Sequence, residues 1–129
     1  MTIGQEQILN SIYKSIDDDR FPHATLIEGG AGYGTLAIAL EIAQYLVCSN
    51  RSTDTGACGT CKSCGKASKF IHPDIHFAFP AVAVKDKKRG DITSLNFLKE
   101  WRAQLEETLY FDIDQWVARI VKTLSLIHI

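Results

Sequence analysis

The stretch that decides the fold runs His23-Ala24-Thr25-Leu26-Ile27-Glu28-Gly29-Gly30-Ala31-Gly32-Tyr33-Gly34-Thr35-Leu36. Residues 23–28 are an apolar run closed by glycines, which predicts a short buried strand. Residues 29–36 carry the glycines of a phosphate-binding loop, G-x-x-x-x-G-K-[ST], at Gly29 and Gly34. The lysine position of that frame is Thr35 and the magnesium-ligand position is Leu36. No change of register restores them, because no lysine lies between Lys14 and Lys62. The loop backbone and the N-terminus of the following helix still offer N–H groups to an anion. The side chains that grip a γ-phosphate and its metal are gone, so ATP binding is doubtful and hydrolysis is not expected. The nucleotide-facing candidates are therefore Gly29, Gly30, Gly32, Gly34 and Thr35 of a degenerate loop.

Residues 35–48 read as a helix that is apolar nearly all round, hence buried and packed on a sheet. Strand, glycine loop and buried helix together predict an α/β fold of the P-loop NTPase type, with a parallel sheet and flanking helices. Asp74 to Phe79 alternates apolar and polar residues and predicts a second strand ending at Pro80.

The four cysteines of the chain, Cys48, Cys58, Cys61 and Cys64, follow directly, spaced C-x9-C-x2-C-x2-C. Two C-x2-C steps bring three sulfurs to one point, and Cys48 supplies a fourth across the polar loop 49–60. Zinc accepts four thiolates in a tetrahedron, and such a site has no open position for catalysis. The alternative is an iron–sulfur cluster, but the ferredoxin run continues to a Cys-Pro that is missing here. His72 and His76 read as ordinary strand-edge histidines, since four thiolates already complete a site. Asn50-Arg51-Ser52 matches a glycosylation sequon, which has no bearing on a cytoplasmic chain.

Elsewhere, residues 4–18 predict a helix with Ile8, Ile12 and Ile16 at four-residue spacing on one face. Asp17, Asp18 and Asp19 end it and read as a solvated turn. Lys62 to Phe70 predicts a short helix carrying Cys64. The charged loop 83–91, with Lys85, Lys87, Lys88 and Arg89, reads as solvated. Leu95, Leu98, Trp101, Leu105 and Leu109 form the core stripe of an amphipathic helix, and a shorter helix is expected to start at Asp112 or Asp114.

The bulk numbers agree with one soluble globular domain: 129 residues, 46% hydrophobic, 22% charged. A formal net charge of −1 argues against a broad nucleic-acid footprint. No signal peptide and no membrane-spanning apolar run are seen, so a cytoplasmic protein without membrane contact is expected, where clustered cysteines read as metal ligands.

Gly4-Gln5 before a helix, Pro22-His23-Ala24 before the strand, the glycine loop, the cysteine insert and His72-Pro73-Asp74 occur in this order in the bacterial clamp-loader subunits of DNA polymerase III, which the chain resembles over residues 3–80. Residues 97–116 look like an insert of one branch of that family. The resemblance implies an AAA+ fold, zinc on Cys48, Cys58, Cys61 and Cys64, and a part in loading the sliding clamp. Two branches share the zinc insert. The gamma/tau subunit is the motor and keeps the lysine and hydroxyl; the delta-prime subunit is a stator whose loop is often degenerate, and Thr35 and Leu36 match the latter. The partners implied are gamma/tau and delta, and indirectly the sliding clamp and primer-template DNA. No Asp-Glu pair for a Walker B strand and no Ser-Arg-Cys triplet occur, and the lid and collar domains are missing. The expected organisation is a partial AAA+ domain over residues 1–123, with the zinc insert at about 48–66. Residues 124–129, Leu-Ser-Leu-Ile-His-Ile, resemble a translated sequencing adapter and are read as a non-native tail rather than a native apolar strand. An unrelated zinc-binding interaction module remains the alternative from another class; it predicts a fold without a parallel sheet around residues 23–28.

Overall fold

The computed structural model describes residues 4–30, 32–83 and 89–127. Lys85, Lys87 and Lys88 of the charged loop, Ala31 of the glycine loop and His128 and Ile129 lie outside them. The described residues fall into two compact units, divided between Ile75 and His76.

The first unit is built on three helices: α1 (Glu6–Asp17), α2 (Thr35–Val47) and α3 (Lys62–Ser68). Its core is Leu9, Tyr13 and Ile16 of α1 against Ile38, Ile42 and Tyr45 of α2, with Ile12, Phe21 and Ile27 packed alongside. The buried edge of α1 thus runs through Leu9, Tyr13 and Ile16. Ile8 is half exposed. The 3.6-residue period allows either stripe, and the stacking of Tyr13 on Tyr45 selects this one. Helix α1 stops where expected. Asp19 takes a left-handed φ of 57°, and the Arg20 N–H reaches back to the Ser15 carbonyl at 2.8 Å, the six-to-one bond of a Schellman end.

The expected α/β parallel-sheet fold is corrected. Among the described residues there is no β-strand; the one bridge is an isolated antiparallel pair, Ser52 with Gly56. Residues 24–30 carry no regular structure, and Leu26 is 80% exposed. A strand exists only as half of a ladder, and here no second strand lies beside it. The apolar surface of α2 accordingly packs on α1 rather than on a sheet. Leu46 is left exposed, and Leu36, Ala39 and Leu40 are half-buried.

The second expected strand also fails, for a local reason. The Ser94 hydroxyl accepts the Phe79 N–H at 2.9 Å and donates to the Phe79 carbonyl at 2.7 Å, so a side chain takes both backbone groups a ladder would use. In the second unit Phe79 then stacks on Trp101, with ring centroids 4.3 Å apart, and meets Trp116 edge-on at 5.3 Å. Trp116 donates from Nε1 to the Pro80 carbonyl at 2.8 Å. Two helices frame this aromatic core: α4 (Leu98–Glu107) and α5 (Ile113–Ile127). Phe97, Trp101, Leu105, Trp116 and Ile120 are its buried residues. Leu95, assigned to the stripe from sequence, is 74% exposed, because residues 94–97 form a 3-10 turn that carries it off the α4 face. The Asp112 carboxylate caps α5 by accepting from the Gln115 N–H, and the Gln115 side chain returns the bond to the Asp112 N–H. Helix α5 has 15 residues and is the longer of the two, its backbone running on through 124–127.

Candidate metal centre

Helix α2 ends at Cys48, whose extended backbone (φ −66°, ψ 132°) sends the chain into the polar loop. Cys61 is the N-cap of α3, and its Sγ accepts the Cys64 N–H at 3.4 Å. A short sulfur-capped helix thus sets the second C-x2-C step. In the first step Cys58 Sγ accepts from the Cys61 N–H at 3.3 Å and from the Thr60 N–H at 3.5 Å. Cys48 Sγ accepts from the N–H groups of Asn50 and Cys58 at 3.4 and 3.2 Å. The sulfurs of Cys48, Cys58 and Cys61 therefore receive backbone N–H groups, and Cys64 is bonded by the Gly59 backbone; such bonds favour the thiolate and fix its orientation.

The four Sγ atoms all lie within 4.8 Å of one another, and those of Cys58 and Cys64 are 3.9 Å apart. Four sulfurs at about 2.3 Å from one tetrahedral ion stand roughly 3.8 Å apart, so this donor set fits a single ion. All four are free thiols, none joined in a disulfide. Their environments differ. The N–H groups of Ser49 and Cys64 hold the Cys61 thiol down to about 5, whereas burial pushes Cys64 up to about 11. Cys58 is also lowered, chiefly by the Thr60 N–H. Neither histidine belongs to the cluster. The Nδ1 atom of buried His72 accepts the Asp74 N–H at 3.0 Å and closes a turn.

The glycine loop lies at the other end of α2. Gly34 is the helix N-cap with φ 86°, a left-handed conformation that side chains resist. The Tyr33 N–H closes a turn on the Gly30 carbonyl at 3.1 Å. Two of its glycines pass close to neighbouring side chains: a Cβ on Gly30 would lie 2.8 Å from the Tyr33 ring, and one on Gly29 2.8 Å from the Thr35 methyl. Beside it is a groove of about 460 Å³ lined by residues including Ile8, Ile12, Leu26, Ile38 and Thr35, in which Glu28 is the one charged residue among those described. A carboxylate there repels phosphate.

Residues passed over in the sequence also bear on the site. Asp17, read as part of a solvated turn, accepts from the Tyr45 hydroxyl at 2.6 Å and the Thr53 hydroxyl at 2.8 Å, and pairs with Arg51 at 3.1 Å. These contacts span 28 to 36 positions, and no spacing signal announces them.

A family model described as "DNA polymerase III, delta subunit" matches residues 4–111. The chain belongs to this family. It is 34% identical over 76 residues to "DNA polymerase III subunit delta'" of Bacillus subtilis (strain 168), covering 59% of this chain and 22% of that protein. It is 41% identical over 73 residues to the protein of the same name in Pseudomonas aeruginosa, covering 57% and 22%. Against "DNA polymerase III subunit tau/gamma" of Haemophilus influenzae it is 37% identical over 62 residues, 48% of this chain and 9% of that one. The chain thus spans about a fifth of the length of the delta' relatives it matches. No solved structure matches it.

Proposed function

We propose that this chain is the N-terminal part of a delta'-type subunit of the DNA polymerase III clamp loader, a stator that organises neighbouring subunits and does not itself hydrolyse ATP. The observation that carries it is the family match over residues 4–111 in a chain whose loop has Thr35 and Leu36 where a motor has lysine and a hydroxyl. The carboxylate of Glu28, which lines the groove beside that loop, supports the same reading. Its partners are the gamma/tau and delta subunits, and through them the sliding clamp and primer-template DNA. It works in the cytoplasm, and no helix among the described residues is long and apolar enough to cross a membrane. Residues 1–123 are the native portion and 124–129 an appended tail.

Cys48, Cys58, Cys61 and Cys64 hold one structural Zn²⁺, a reading supported by four sulfurs within 4.8 Å of one another and by the tetrahedral thiolate sites zinc favours. Bound there, the metal supplies cross-linking of the insert at about 48–66 to the end of α2, and no chemistry.

The gamma/tau reading is favoured by the Haemophilus similarity alone, and the missing lysine speaks against it. An unrelated zinc module has the absence of a sheet among the described residues in its favour, but it leaves the family match unexplained.

Reconstitution tests the proposal. Full-length protein, read past Thr123, should restore DNA-stimulated ATPase activity to motor and delta subunits, whereas residues 1–129 should not. Alone, the chain should show no ATP turnover above that of Gly34→Val. Turnover that this change abolishes refutes the stator reading, and a full-length protein that binds no clamp-loader subunit refutes the assignment.

A further inference from the structure

The cysteines are brought together by a loop that has no apolar core of its own. Residues 49–60 are almost all polar or glycine, so nothing within the loop offsets the entropy of holding it in one shape. What holds it lies on the first two helices. Thr53 donates its hydroxyl to Asp17 at 2.8 Å, and the Arg51 guanidinium pairs with the other Asp17 oxygen at 3.1 Å. Arg51 also lies over the Tyr45 ring at 5.1 Å and reaches the Tyr45 and Leu46 carbonyls at the end of α2. Gly56, paired with Ser52, passes so close to Tyr13 that a Cβ would sit 3.3 Å from its ring. Asp17 is where these threads meet, since it also accepts from Tyr45 at 2.6 Å.

We propose that Asp17 is a positioning residue for the metal centre: by clamping Thr53 and Arg51 to α1, it makes metal affinity and the packing of α1 on α2 rise and fall together. The inference rests on the reading of the four cysteines as a metal site. Asp17 touches no ligand. It acts by pre-ordering the loop between Cys48 and Cys58, so that the metal need not order it on binding. Linkage makes the effect reciprocal: whatever factor Asp17 adds to metal affinity, the metal adds to the stability of the Asp17 contacts.

The test uses the whole 129-residue chain and Zn²⁺ competed against a chromophoric chelator. Asp17→Ala should bind Zn²⁺ roughly tenfold more weakly, the lower end of what outer contacts of metal sites contribute. Asp17→Asn, which keeps the shape and one acceptor oxygen, should fall between it and the wild type. Co²⁺ in place of Zn²⁺ should give the same tetrahedral thiolate spectrum in all three, because the ligands are unchanged. Chelation should speed amide exchange in α1 of the wild type by the same factor, and by much less in Asp17→Ala. Equal Zn²⁺ affinities in wild type and Asp17→Ala overturn the proposal, and so does an altered Co²⁺ spectrum. Should Asp17→Ala not fold, Thr53→Val and Arg51→Gln cut the same contacts from the loop side, and unchanged affinity in both is equally fatal. A wild type that binds no metal at all defeats instead the reading of the cysteines.

Discussion

Tyr13 and Tyr45 lie stacked, ring centroids 4.0 Å apart and planes 15° from parallel. One ring comes from α1 and the other from α2, and both are buried. Burial pushes the Tyr13 hydroxyl up to about 12, and burial likewise raises Tyr45, helped by its bond to Asp17. The pair joins α1 to α2 in the core, and Gly56 of the cysteine loop lies against the Tyr13 ring.

Metal content is the most direct check on the site. Purified protein should contain about one zinc per chain by elemental analysis. Cys61→Ser should lose it and melt the region 48–66 before the rest, because metal binding and local folding are coupled. Iron with visible absorbance would point to a cluster instead.

Thiol chemistry of the metal-free protein should be ordered. Cys61, held down to about 5 and partly exposed, is a thiolate at pH 7; Cys64, pushed up to about 11 and fully buried, is a thiol. Limited alkylation with iodoacetamide followed by peptide mapping should mark Cys61 first and Cys64 last. Metal should protect both.

Acid should weaken the Asp17 contacts. The Tyr45 hydroxyl first, then Thr53, holds the Asp17 carboxyl below its ordinary value of 3.8. A folded-state value below the unfolded one contributes stability that is present above about 4 and lost as pH falls through the folded value. Between about pH 4 and pH 2 the Tm of metal-free wild type should therefore fall more steeply than that of Asp17→Asn. Parallel curves would show that these contacts do not favour the ionised carboxyl.

The aromatic core of the second unit should follow burial. Ile120, with no exposed surface, should cost about 2–5 kcal/mol when changed to Ala. Leu95, 74% exposed, should change stability by less than about 0.5 kcal/mol. Urea midpoints of the two variants decide it.

Some of this was legible in the chain and some was not. The helices could be read because their signals are local: the end of α1 at the aspartates, the start of α2 after Gly34, Asp112 as a cap, Cys64 on a short helix. The cysteine cluster was legible for the same reason, since two C-x2-C steps confine three sulfurs within seven residues. The strands were misread. Apolar runs at 23–28 and 74–79 have the composition of strands, but composition does not supply a partner, and the Ser94 hydroxyl had taken the backbone groups of Phe79. Asp17 was misjudged because its partners, Tyr45, Arg51 and Thr53, lie far along the chain.

By itself, then, the sequence determined which residue types are present: four cysteines at metal-ligand spacing, and a glycine loop with Thr35 and Leu36 where a phosphate-binding loop carries lysine and a hydroxyl. Those are matters of residue type over short distances, where covalent geometry restricts the outcome. Tertiary structure alone decided that α2 packs on α1 in place of a sheet, and that one carboxylate of a three-aspartate turn holds the cysteine loop. Both depend on which distant groups meet, and pairing between distant groups is set by the packing of the whole unit.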